Sequence, residues 1–170
     1  MRSLLSFLGA AAAPVAVLTA LCMAPAYAQQ APAAPAPAAN GADRAGMTRP
    51  APEGLYQALG EKAGIARLMD DLVTRAVADP RIGHIFKDTK VQALKDSLTL
   101  QVCLLSGGPC VYEGDNMKAA HADFAITKGD FNRLVELLQS AMDAQNIPFT
   151  QQNRLLALLA PMHGDIITRR

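Results

Sequence analysis

Tryptophan is absent from this 170-residue chain, and aromatic residues make up only 5% of it. Few large rings are therefore available to fill a core. Charge of one sign is equally scarce, since 16 Lys and Arg face 15 Asp and Glu for a net charge of +1. A nucleic-acid binder usually carries a basic excess on one face, so this balance makes DNA and RNA poor partners. The chain also has no glycine-rich phosphate loop, no GxSxG, no CxxC and no HExxH. Hydrolase and nucleotide-binding readings have nothing to stand on.

What is present is unevenly distributed. Residues 1–53 carry only Arg2, Asp43, Arg44, Arg49 and Glu53 as charges, and 18 of the 53 are Ala. The composition breaks near residue 53, which points to one domain with an appendage. Met1 to Ala28 runs as one basic residue, Arg2, an apolar stretch from Leu4 through Leu21, and the small-x-small sequence Ala26-Tyr27-Ala28. That is the pattern of a cleavable export signal with its cut after Ala28. A membrane-spanning helix needs about 20 apolar residues, whereas Pro14 and Pro25 bracket a shorter run, so no span is expected in the mature protein. Cys22 follows Leu21, too large for a lipid-attachment site. Residues 29–53, rich in Pro and Ala, hold too few large side chains to offset the entropy of ordering them and read as an extended linker. A periplasmic or secreted location is expected, which leaves Cys103 and Cys110 as a pair in an oxidising space.

Residues 54–170 show no alternating β-branched run and no Asn-Gly hairpin signal. The fold class expected is all-α. Ile65, Leu68, Met69, Leu72, Val73, Ala76 and Val77 recur at intervals of three and four, one stripe along a helix that Asp79-Pro80 ends. Asp79 is placed to cap a short turn over 80–86. A second long helix, about 90–105, carries Leu94, Leu98 and Val102 and stops at Gly107-Gly108-Pro109. Asn116 starts a brief helix reaching about Phe124. Thr127 with Asp130 three residues on resembles a capping box for the next helix, which ends before Ile147-Pro148. Thr150 is expected to cap the last helix, and Pro161 to kink it.

His121 lies in NMKAAHADF, with Met117 four residues before it and Phe124 three after on the same face. An imidazole amid such apolar surface must be paired, exposed or bound to a metal. Spacing alone leaves those three open.

Taken together, LYQALG, ADPRIGHIF, the helix closing at SGGP, YEGDNMKAAHADFAIT and DFNRL resemble the truncated haemoglobins, specifically their first group. The likeness covers about 115 residues, and its sharpest part is the stretch from Gly107 to His121. It implies a two-over-two globin fold around haem b, with His121 as the proximal iron ligand. Phe86 would stack on the porphyrin, with Ile85 beside it, Met117 and Phe124 near the proximal histidine, and Phe131 on the following helix. Lys95 or Lys118 would meet a propionate, or else both are surface lysines. The implied partners are a diatomic gas (O2, NO or CO) and a reductase.

The departures lie opposite His121. Where the family has a Phe-Tyr pair this chain reads Leu72-Val73, and Leu94 and Leu98 occupy its glutamine positions. A distal pocket walled by Val73, Leu94 and Leu98 is apolar and should release oxygen quickly, while CO and NO lose less. Ser97 and Gln101 are the remaining candidate donors. His84 reads as a loop histidine or a sixth ligand, and His163 as surface. Reversible gas binding is the first reading. A haem-dependent, peroxidase-like enzyme would need a distal acid or base that leucines do not supply, and a haemless helical interaction module is the third reading. Cys103 and Cys110 either form a disulfide or remain as a buried and a free thiol.

Overall fold

The computed structural model describes residues 45–169. The expected export signal and the linker as far as residue 44 lie outside them. The described residues are helical, without a strand.

A short helix α1 (Leu55–Ala58) leads into α2 (Glu61–Ala78). The stripe read from sequence is buried from Ile65 to Ala76. Val77, assigned to the same stripe, is instead 40% exposed. At about 100° per residue it sits about 120° around the helix from Ile65, past the edge of the buried face. Gly64 is required where α1 ends against α2, because a Cβ there would lie 2.1 Å from the Leu59 carbonyl oxygen.

Asp79 leaves α2 with extended backbone, as a residue before proline must. Its Oδ1 accepts the Arg81 amide at 2.9 Å, and Oδ2 accepts Arg133 Nε and Nη2 at 2.9 and 2.8 Å. The first bond caps the turn that follows; the other two fasten it to a helix 54 residues away. The Arg133 guanidinium holds the Asp79 carboxyl below its ordinary range. A lowered carboxylate pKa contributes stability above the unfolded value, about 4, that is lost as pH falls through the folded value. Asp79→Asn should therefore lower the urea midpoint at about pH 7 and narrow its difference from about pH 3. An unchanged difference would mean that the pair contributes nothing.

A 3-10 turn (Gly83–Phe86) connects to α3 (Val91–Leu105). Gly107 ends that helix with φ +91°, in the left-handed region glycine supplies. Next comes α4 (Met117–His121), capped by Asn116 Oδ1 on the Ala119 amide at 2.9 Å. Its regular part stops at His121 rather than near Phe124, because the Ala122 and Phe124 amides reach only three residues back, to the Ala119 and His121 carbonyls, and Ala125 at φ +48° then ends the turn. In α5 (Lys128–Ala144) the Thr127–Asp130 capping box is present in both directions. Then α6 (Phe149–Leu159) starts from Pro148 without a side-chain cap, so Thr150 lies in the first turn and caps nothing. Pro161 breaks the last helix rather than kinking it, since it has no amide for the carbonyl four residues back. A 3-10 turn (Ala160–Met162) and a short α7 (His163–Ile166) result.

α2 packs on α3 and α5, α1 touches α2 and α6, and α4 packs on α7. Leu55, Ile65, Leu68, Met69, Leu105, Met142 and Leu155 are fully buried between them. Each contributes about 1.5–3 kcal/mol of burial. The aromatic shortage is met by leucine and methionine, which leaves the rings for another purpose.

Two boundaries differ from expectation. Residues 45–53, read as linker, are not all free: Ala45 is fully buried and Met47 packs against the core. Composition cannot show this, because it depends on a site offered by distant helices. Cys103 and Cys110 form a disulfide with Cα atoms 5.8 Å apart. A cross-link over so short a separation, seven residues, stabilises by about 2.5 kcal/mol in the chain-entropy account. Denaturant unfolding with and without a thiol reductant should differ by that amount; coincident curves would remove the bond from the stability of this fold.

Candidate functional site

Between α2, α3, α4, α5 and the C-terminal segment lies a cavity of about 560 Å³. That is the size of a pocket for an organic ligand. Val73 comes from α2, Ile85 and Phe86 from the first 3-10 turn, Leu94 and Leu98 from α3, Met117 and His121 from α4, Phe124 from the loop after it, and Phe131 from α5. All nine residues expected to surround the cofactor line this one cavity. Three of the five phenylalanines are here rather than in the closed core.

His121 is held by its own helix, with Nδ1 2.7 Å from the Met117 carbonyl oxygen. A carbonyl has no proton to give, so Nδ1 carries the hydrogen and donates it. The neutral ring then has its lone pair on Nε2, the arrangement that suits a metal ligand. Among the described residues no three His, Cys, Asp or Glu side chains cluster to hold an ion. A metal at His121 must therefore bring its other ligands with it, as the iron of a planar macrocycle does. A flat apolar group enclosed by Phe86, Leu94, Leu98 and His121 fits both the donor set and the walls.

The polar groups of the cavity are mostly committed. Gln101 Nε2 lies 3.0 Å from the Ala45 carbonyl oxygen, 3.5 Å from Met117 Sδ and 3.8 Å from Met162 Sδ. Its amide is spent on the protein, which removes it as a distal donor. Tyr112, 5% exposed, donates to the Asp115 carbonyl at 3.0 Å. Burial pushes its phenol above the ordinary value, against the pull of the Ser97 hydroxyl. Asp130 on the wall is occupied by the Thr127 cap, which holds its carboxyl below the usual range.

Lys95 Nζ pairs with Asp70 at 2.7 Å and with Thr74 at 3.2 Å, tying α3 to α2. Lys118 and His84 are exposed. His163 is exposed too and meets the Phe131 ring edge-on at 5.1 Å. Sequence reasoning missed Tyr112, Ile126, Met162 and Ile166 as wall residues. Met162 and Ile166 continue the helical spacing of Leu155, Leu158 and Leu159, a pattern indistinguishable from plain core.

A small all-helical domain with an apolar, histidine-bearing cavity is the architecture of a globin. Residues 54–168 match the family described as bacterial-like globin, and the chain belongs to it. It is 26% identical over 117 residues to the group 1 truncated hemoglobin GlbN of Mycolicibacterium paratuberculosis, covering 69% of this chain and 86% of that protein. It is 28% identical over 116 residues to the group 1 truncated hemoglobin of Tetrahymena pyriformis, covering 68% and 96%. The solved Fe(III) form of the truncated hemoglobin from T. pyriformis superposes with a TM-score of 0.64 at 23% identity, over 66% of this chain and 97% of that one. The 2/2 hemoglobin of Synechococcus sp. PCC 7002, solved with covalently attached heme, gives 0.63 at 21%, over 68% and 98%. The fold is thus the all-α, two-over-two globin fold expected from sequence.

Proposed function

We propose that this protein is an exported haem protein that reversibly binds a diatomic gas. Family membership supports haem as the cofactor, in its usual b form, and a gas as the ligand. When bound, haem would supply an iron able to take a small gas as a ligand. The chain supplies the ligand on one side: His121, with Nδ1–H donated to the Met117 carbonyl, offers Nε2. That hydrogen bond is the observation that carries the reading, because it sets tautomer and ring orientation together. Phe86, Ile85, Met117 and Phe131, with the half-exposed Phe124 at the rim, would shield the bound group from water.

Val73, Leu94 and Leu98, on the same cavity wall, offer no hydrogen bond and no proton. Such a pocket suits transport, scavenging or sensing with fast exchange better than oxygen storage. Among the described residues no helix is long and apolar enough to cross a membrane. The charged and small-residue pattern of residues 1–28 supports export to the periplasm or beyond.

Haemin titration of the purified protein tests this reading. One haem per chain is expected, with a five-coordinate ferrous spectrum that converts on adding CO. A chain that takes up no haem, yet is folded and stable, overturns it in favour of a helical interaction module.

A further inference from the structure

The loop joining α4 to α5 is weakly held by its own backbone. The Ala122 amide reaches the Ala119 carbonyl at 3.4 Å and the Phe124 amide reaches the His121 carbonyl at 3.3 Å, both long. Ala125 then takes φ +48°, a region that residues with a Cβ avoid. Ile126 follows, 8% exposed and on the cavity wall. Its backbone is satisfied entirely from elsewhere. Thr168 Oγ1 accepts the Ile126 amide at 2.9 Å, while the Thr168 and Arg169 amides donate to the Ile126 carbonyl at 3.0 and 2.9 Å.

These three bonds are shorter than any the loop makes internally, and they come from residues 42 or more positions further along the chain. The segment that delivers them is itself part of the site. α7 packs on α4, and Met162 and Ile166 line the same cavity as His121. One continuous stretch, 160–169, therefore forms a wall and pins the loop that leaves His121.

We propose that Thr168 and the backbone around it position the proximal side of the site, holding α4 and Ile126 so that His121 presents Nε2 at a fixed distance and tilt. This rests on the reading of His121 as the haem ligand. Thr168 touches neither the cofactor space nor the gas and acts through Ile126. A tail contributing only stability would change the melting temperature and nothing at the iron. A positioning tail changes the iron–histidine bond while the fold stays intact.

The test uses the full haem-loaded chain with Thr168→Val, Thr168→Ser and a version ending at Ile167. Ferrous iron–histidine stretching is read by resonance Raman, and haem release by transfer to a scavenging protein. Thr168→Val should shift or broaden the stretching band and speed haem release by about tenfold, the lower end for loss of an outer-shell partner. Thr168→Ser, which keeps the hydroxyl, should restore both, and the shortened chain should exceed the Val variant. A band and release rate unchanged in Thr168→Val and in the shortened chain overturns the proposal, as does a Ser variant no better than Val. A band that survives His121→Ala would instead show that the ligand assignment had failed, and the positioning proposal with it.

Discussion

Haem-loaded His121→Ala is expected to lose the Soret band of a histidine-ligated globin, or to shift it to that of a water-exposed, weakly held haem. The imidazole sits on α4, capped by Asn116, with its proton committed to Met117. No second histidine is placed to take over: His84 and His163 are exposed and neither lies on the cavity wall. Loss of an outer-shell partner alone costs about 10- to 100-fold in metal affinity, and loss of the ligand itself must cost more. Haem affinity should therefore fall by more than about 100-fold. The variant should fold, because His121 is only half-buried and makes no long-range bond. Added imidazole should enter the vacated space and restore the spectrum. A variant with the wild-type spectrum and affinity would mean that iron is ligated elsewhere.

Leu98→Gln is expected to slow oxygen release by about 10- to 150-fold, with little change in CO release. Bound oxygen draws negative charge outward, and one charge-assisted donor contributes about 1.5–3 kcal/mol. The residues at the family's donor positions supply none, and Ser97, a hydroxyl of α3 on the wall, lies beside the Tyr112 phenol. Val73 and Leu94 are apolar, and the Gln101 amide is turned to the Ala45 carbonyl and two thioethers. Glutamine is close to leucine in volume, so the change tests polarity with little change of packing. Flash photolysis and stopped-flow mixing measure the two gases separately. Equal oxygen release in variant and wild type would show that this side of the pocket does not govern retention. A parallel change in CO would point to size rather than hydrogen bonding.

Much of the architecture was legible before any coordinates. The burial of Ile65 to Ala76, the Asn116 cap and the Thr127–Asp130 box are local matters. A 3.6-residue period and a side chain reaching its own neighbouring amide need nothing from the rest of the chain. Proline is equally local, and the residue before it is restricted wherever it stands. The errors show the limit of that logic. Val77 keeps the right interval but falls past the edge of a finite stripe. Thr150 has the chemistry of a cap, yet Pro148 starts the helix two residues earlier. Pro161 signalled a distortion without saying whether the helix would bend or divide.

The candidate site was legible only through resemblance, since spacing left His121 open. Phe86, Leu98 and His121 stand at matching positions of family motifs, and the structure brings them to one cavity. The chemistry of the site was less legible. Gln101 was a candidate donor until Ala45, 56 residues away, claimed its amide. Tyr112 and Ile126 joined the wall through loops, and loops carry no period to read.

The amino-acid order alone thus determined the helical stripes, the Asn116 and Thr127–Asp130 caps and the turn at Asp79-Pro80. Each depends on neighbours within about two turns of the chain. Tertiary structure decided that Cys103 meets Cys110, that Gln101 is withdrawn from the pocket, and that Thr168 takes over the backbone of Ile126. Those outcomes turn on which polar groups are brought within about 3 Å of one another and shut away from water. Only the packing of distant segments sets that.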